Sequence, residues 1–144
     1  MNLQIVTTDV LDFEYVAALT NLLGQHIEKT TGYADDYWPL SVVMVVPGTD
    51  DVMAGLHAGT KYGQLHVLAL YVHENLRGRG VGRRLMYQAE EEARRRTCTG
   101  AWLDTFSPDA LKFYERLDYS VFGVIDDFPP GQKRFFLKKT LVLQ

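Results

Sequence analysis

The sequence predicts an α/β protein in which α and β segments alternate: one domain over residues 1–144, with a mixed, mostly antiparallel sheet, a parallel central strand pair and flanking helices. Three observations predict this. First, apolar runs between residues 40 and 72 are interrupted by Pro47-Gly48-Thr49-Asp50-Asp51 and by Tyr62-Gly63, the pattern of three consecutive antiparallel strands. Second, helical periodicity separates the run ending at Val72 from the run at residues 101–106, and a second helical stretch follows that run. Such strand-helix-strand units impose parallel pairing at the centre of a sheet. Third, 144 residues with 47% hydrophobic and 23% charged content suffice for one substantial core but not for two ordinary domains.

Taken in order, residues 3–6 suit a short first strand, and Asp9 or Asp12 can cap the helix that follows. Val16, Leu19, Thr20, Leu23, His26 and Ile27 recur at helical spacing, which predicts a helix over residues 13–28. Residues 30–39 are polar and aromatic without periodicity and read as a loop, either covering a substrate or anchored by its aromatics as a surface connection. Strands are predicted at 41–46, 52–60 and 64–72. The next helix, from Val81, puts Val81, Leu85, Ala89 and Ala93 on one face; Glu90, Glu91, Glu92, Arg94, Arg95 and Arg96 fall largely on the other, read as solvated. Glutamates four residues before arginines support that helix.

A strand at 101–106 leads to Ser107 as N-cap and Pro108 as first helical residue, and the helix carries Ala110, Leu111, Phe113, Tyr114 and Leu117. Strands at 119–124 and 134–143 flank a turn over residues 126–131. The predicted order is β-α-β-β-β-α-β-α-β-β.

Composition excludes several classes. No apolar run reaches the roughly 20 residues needed to span a bilayer, and no basic segment with an apolar signal core opens the chain, so a cytoplasmic protein without a membrane partner is expected. A single cysteine, Cys98, forms no internal disulfide and belongs to no Cys/His cluster, so no metal site is expected and Cys98 reads as a buried filler. A pI near 5.8 argues against a nucleic-acid partner. A homodimer is compatible with the chain.

The most informative stretch runs from Leu70 to Leu85, where an apolar strand gives way to Arg77-Gly78-Arg79-Gly80-Val81-Gly82-Arg83-Arg84 and then to a helix. Glycines let a backbone approach a ligand, and a helix start presents unpaired N–H groups and a positive dipole end. Four arginines fall there in a chain of formal net charge -3, which marks a phosphate site. Neither G-x-G-x-x-G nor a Gly-Lys-Ser/Thr P-loop is present. What remains, Arg77-x-x-Gly80-x-Gly82 after Leu70-x-Val72, resembles the pyrophosphate-binding signature of the GNAT superfamily of acetyl-CoA-dependent N-acetyltransferases. The segment from Ser107 to Tyr119 resembles the family's Ala-x-x-x-Tyr-Glu-Lys-Leu-Gly-Tyr/Phe motif, with Asp118 in the place of its glycine and Ser107-Pro108 near a cofactor-contacting asparagine that is not carried over. The resemblance is strong from Gln64 to Tyr119; the first 60 residues match in architecture only.

The resemblance implies a transfer of acetyl from acetyl-CoA to a primary amine by direct attack on the thioester. It assigns the cofactor site to main chain at Leu70, Tyr71 and Val72, to the N–H groups of Gly78, Arg79, Gly80, Val81, Gly82 and Arg83, and to Arg77. Tyr114 is implied as the acid that protonates the CoA thiolate. A base is required because an amine of pKa about 10.4 is only about one part in 10³ neutral at pH 7. Asp104 is the leading candidate, with Glu74, His66 and His73 behind it. Three functions remain open: acetylation of a small-molecule amine, which the small size favours; acetylation of a protein N-terminus or lysine; and acyl-CoA binding without turnover.

Overall fold

A computed structural model describes residues 1–142. The chain forms two compact units, Met1–Asp35 and Asp36–Gln144. The first contains one helix, α1 (Phe13–Thr31). Asp12 caps it, its carboxylate accepting from the N–H groups of Glu14 and Tyr15, and Gly32 ends it at φ 80° with its N–H donating to the Glu28 carbonyl. That left-handed stop is accessible to glycine at little cost. The strand predicted at residues 3–6 is not formed: those residues carry no regular structure. Four residues become a strand only where a neighbouring edge takes up their backbone hydrogen bonds, and composition does not reveal whether such an edge exists.

The second unit is a six-stranded sheet with two helices. Its elements are β1 (Trp38–Val45), β2 (Val52–Lys61), β3 (Gln64–Val72), α2 (Val81–Arg95), β4 (Gly100–Thr105), α3 (Pro108–Glu115), β5 (Ser120–Asp126) and β6 (Lys133–Thr140). The strand order is β1-β2-β3-β4-β6-β5, with β3 and β4 the parallel pair and all other neighbours antiparallel. This is the predicted mixed sheet. Strand β1 begins at Trp38, inside the predicted loop, because Trp38 and Pro39 pair with Thr60 and Gly59. The last predicted strand extended to Leu143, which lies outside the described residues.

The core lies between the sheet and α2. Ala54, Leu56, Ala58, Leu65, Val67, Leu103 and Leu137 from the strands meet Leu85, Met86, Ala89 and Ala93 from the helix. Cys98 is buried here as predicted, and burial pushes its thiol pKa up. Glu90 corrects the reading of α2, being 1% exposed and not on the solvated side. The position four residues after Met86 and three before Ala93 belongs to the apolar stripe whatever residue occupies it. Inside a run of charged residues, that stripe is hard to see.

Register explains the site that follows. Strands β3 and β4 pair over only three positions, Gln64 with Gly100, Leu65 with Ala101 and His66 with Trp102. Beyond them the pairing stops. An irregularity on β3 opposite His57 and Ala58 lies just past this point, where an extra residue bends a strand and increases its twist. The C-terminal half of β3 is thus bonded on one side only.

At the end of α3, Asp118 adopts φ 70° where the Tyr119 N–H turns back to the Tyr114 carbonyl. A side chain in this left-handed conformation is strained by about 1 kcal/mol, less for Asp than for most residues. Asp118→Gly is therefore expected to stabilise the protein by about 0.5 kcal/mol after allowing for the added freedom of the unfolded chain. A rise in melting temperature checks this; a fall would show that the carboxylate contributes more than the strain costs.

Candidate active site

The site starts with backbone groups that the sheet leaves unpaired. The His73 N–H donates to the Met53 carbonyl of β2. Because backbone N–H groups alternate sides along an extended strand, the Tyr71 N–H also faces β2, while those of Leu70 and Val72 face the open side left by β4. The Val72 carbonyl on that side accepts from Arg77 Nε at 2.9 Å. The Leu70 and Val72 side chains, meanwhile, pack against the core. Two donors therefore point into open space from a rigid strand.

A turn of 3-10 helix, Glu74–Leu76, carries the chain from β3 into the glycine loop. Gly78 and Gly80 adopt φ 73° and 75°, and a Cβ at either position would meet no atom within 4 Å. Their glycines are required by conformation. Gly82 differs, because a Cβ there would lie 3.1 Å from the Phe113 ring, so this glycine lets α2 and α3 approach each other. Gly80 is the N-cap of α2, without a side-chain cap, and the first bond back to it comes from the Arg84 N–H. The N–H groups of Val81, Gly82 and Arg83 at the helix start have no intrahelical partner. They lie at the positive end of the dipole, an arrangement whose electrostatics favour an anion.

These groups border one cavity of about 850 Å³. It is walled by Leu70, Tyr71 and Val72 on β3, by the loop from Arg77 to Arg83, and by α3. Of the predicted cofactor residues, Leu70, Tyr71, Val72, Arg77, Gly78, Gly80, Val81, Gly82 and Arg83 line it; Arg79 does not. Arg77 is committed through Nε to Val72, and Arg83 lies along α2 with Nη2 3.2 Å from the Tyr87 hydroxyl. Sequence reading missed Leu76, Ser107, Asp109, Ala110, Phe113, Arg116 and Leu117 as wall residues, Ser107 lying near the position at which the family's cofactor contact was not carried over. The 110, 113, 117 spacing was visible, but periodicity does not tell a face that packs against core from one that borders a cavity.

Tyr114 lines the cavity and is 7% exposed. Burial, with the negative charge of Asp104 adding to it, pushes its phenol pKa up to about 12. Asp104 is not in the cavity wall; its Oδ2 accepts from Arg134 Nη1 at 2.6 Å. Phe106 and Phe128 hold that guanidinium, with ring centroids 5.1 and 4.0 Å from its carbon. His66 stacks on Trp102 at 3.8 Å, and burial lowers its pKa against the opposing pull of Asp104. His73 Nδ1 accepts from the Asn75 N–H, so that ring caps the turn where Glu74 sits. None of His66, His73 and Glu74 lines the cavity. Among the described residues, no cluster of side chains suits a metal ion and no helix is long and apolar enough to cross a membrane.

The cavity thus opens where the parallel strands diverge, with a glycine loop and helix start on one side and a buried tyrosine on the other. The chain belongs to the acetyltransferase (GNAT) family, whose sequence profile matches residues 15–119. It is similar to an acetyltransferase of Agrobacterium fabrum, with 36% identity over 135 residues, 93% of this chain and 96% of the relative. It is also similar to the blasticidin-S acetyltransferase of Streptomyces morookaense, with 36% identity over 92 residues, 63% of this chain and 68% of that one. The crystal structure of an Agrobacterium tumefaciens protein described as an acetyltransferase superposes with a TM-score of 0.86 at 35% identity, covering 96% of this chain and 99% of that one.

The Tyr114 phenol pKa, about 12, lies above the usual value near 10. A group whose pKa is raised on folding contributes stability in full below the unfolded value, here about pH 10, and loses it as the pH rises through the folded value. Melting temperature should therefore fall between pH 10 and 12, and fall less steeply in Tyr114→Phe. Equal slopes in the two proteins would contradict the assigned shift.

Proposed function

We propose that residues 1–144 act as one N-acetyltransferase domain that moves acetyl from acetyl-CoA to a primary amine of a small molecule by direct attack on the thioester. The observation that carries this is the single cavity in which the free N–H groups of β3, the helix start of α2 and the Tyr114 phenol converge. The similarity to a blasticidin-S acetyltransferase supports a small-molecule acceptor.

When bound, acetyl-CoA supplies the activated acyl group. Val81, Gly82 and Arg83, with the loop from Gly78, bind its diphosphate through main-chain N–H groups, and the surrounding arginines add charge. Leu70 and Val72 direct N–H groups at the oxygen on which negative charge develops, donors that need no reorganisation because the strand is fixed by β2. Asp104, with Oδ2 held by Arg134, offers Oδ1 as the base. Its place outside the cavity wall requires a water between it and the amine. The new N–C bond forms as the C–S bond breaks, the amine proton leaves toward Asp104, and Tyr114 faces the departing sulfur.

A phenol of pKa about 12 facing a thiolate of cysteine-like pKa near 8.5 would give up its proton uphill by about 5 kcal/mol. Tyr114 therefore helps through a hydrogen bond that strengthens as charge reaches sulfur, within the general-acid range of about 10²-fold or more. Tyr114→Phe should lower kcat by about 10²-fold with acetyl-CoA affinity nearly unchanged, measured with an acceptor found from panels of amines and peptides. Wild-type turnover in the folded variant would return Tyr114 to the core.

Binding is tested separately. Acetyl-CoA at about 100 times its dissociation constant should add roughly 2.7 kcal/mol of stability. Gly80→Asp puts a carboxylate beside the diphosphate at the cost of only about 1 kcal/mol of left-handed strain, so it should weaken acetyl-CoA at least about tenfold in a protein that still folds. Calorimetry that finds unchanged affinity would remove the loop from the cofactor site.

A further inference from the structure

Behind Tyr114 lies a buried polar network that the reaction as described does not use. Glu90, 1% exposed, accepts from the Tyr119 hydroxyl at 3.0 Å through Oε2 and from Lys139 Nζ at 2.7 Å through Oε1, with Arg94 Nη2 4.0 Å away. Tyr119 is 3% exposed, and burial together with the Glu90 charge pushes its phenol pKa upward, so the hydroxyl stays a donor. Burying such a pair costs several kcal/mol per ion before attraction and hydrogen bonds offset it, and apolar residues of similar volume often serve stability as well or better. Packing alone gives no reason for these groups.

Geometry supplies one. The Tyr119 ring meets the Tyr114 ring edge to face at 6.0 Å and 68°, and Phe113 meets Tyr114 likewise at 5.0 Å and 66°. The Tyr119 N–H also donates to the Tyr114 carbonyl at 3.1 Å. Tyr114 is thus clamped between two rings. Phe113 has only its shape to hold it, whereas the Tyr119 ring is fixed in direction by a hydrogen bond to a carboxylate that α2 and β6 hold together.

We propose that Tyr119, oriented by Glu90 and Lys139, is a positioning residue for the reaction: it sets the ring angle of Tyr114 and so aims the phenol at the departing sulfur. This rests on the assignment of Tyr114 as the hydrogen-bond donor to that sulfur. A donor displaced by a fraction of an ångström loses part of its contribution, because such effects require tight alignment.

The test is a double-mutant cycle on kcat with Tyr114→Phe and Tyr119→Phe. Tyr119→Phe alone should lower kcat by about fivefold to tenfold, part of the about 10² that the phenol supplies, with the KM for acetyl-CoA unchanged. In the Tyr114→Phe background, the same substitution should change kcat by less than about twofold. A second variant, Tyr119→Phe/Glu90→Leu/Lys139→Met, removes all three buried groups together and leaves Arg94 its bonds to Glu91 and the Val142 carbonyl. It should reproduce the fall in kcat while keeping its melting temperature. Wild-type kcat in either folded variant overturns the proposal, as does an equal fall in both Tyr114 backgrounds. If Tyr114→Phe by itself turns over like the wild type, it is the assignment of Tyr114 that has failed.

Discussion

The parting of β3 and β4 after three paired positions is the constraint on which the rest depends. A central parallel pair normally runs its full length because unpaired backbone groups are costly once removed from water. Here the pair opens, and the structure meets that cost locally. Arg77 satisfies the Val72 carbonyl, and the side chains of Leu70 and Val72 stay anchored in the core. The remaining N–H groups border a cavity in which a polar ligand can complete them.

Two helices hold the opening in shape by different means. Helix α2 follows β3 through a loop whose turns need the positive φ angles of Gly78 and Gly80, so the loop conformation and the exposed helix start are one feature. Helix α3 follows β4 from a start stopped by Ser107, whose Oγ accepts from the Ala110 N–H. The helices meet where Gly82 gives way to Phe113. Strand divergence sets the gap, and this contact keeps its far wall close enough for Tyr114 to face β3.

Charge is distributed to match. Four arginines, Arg77, Arg79, Arg83 and Arg84, fall at the loop, while two acidic groups away from it are paired, Asp104 with Arg134 and Glu90 with Lys139. Both pairs reach β6, the strand most distant in sequence from the loop. The negative charge of Asp104 adds to the burial that keeps the Tyr114 phenol protonated. Strand β6 thus supplies the cation of each pair, some fifty residues after the glycine loop is complete.

What the amino-acid sequence determined by itself was whatever is encoded between near neighbours. The strand ends at Pro47-Gly48 and Tyr62-Gly63, the cap at Ser107, the first cap narrowed to Asp9 or Asp12, and the glycine loop from Arg77 all express local backbone chemistry, and each is legible in the sequence. Pairings across the sheet were not. Whether residues 3–6 would find an edge, whether Glu90 would turn inward to meet Tyr119 and Lys139, and whether Asp104 would meet Arg134 depend on register between segments about 30 to 50 residues apart. Local propensity carries no information about that register; it is decided when the strands assemble, because only there do backbone bonds and buried charges find the partners that make them affordable.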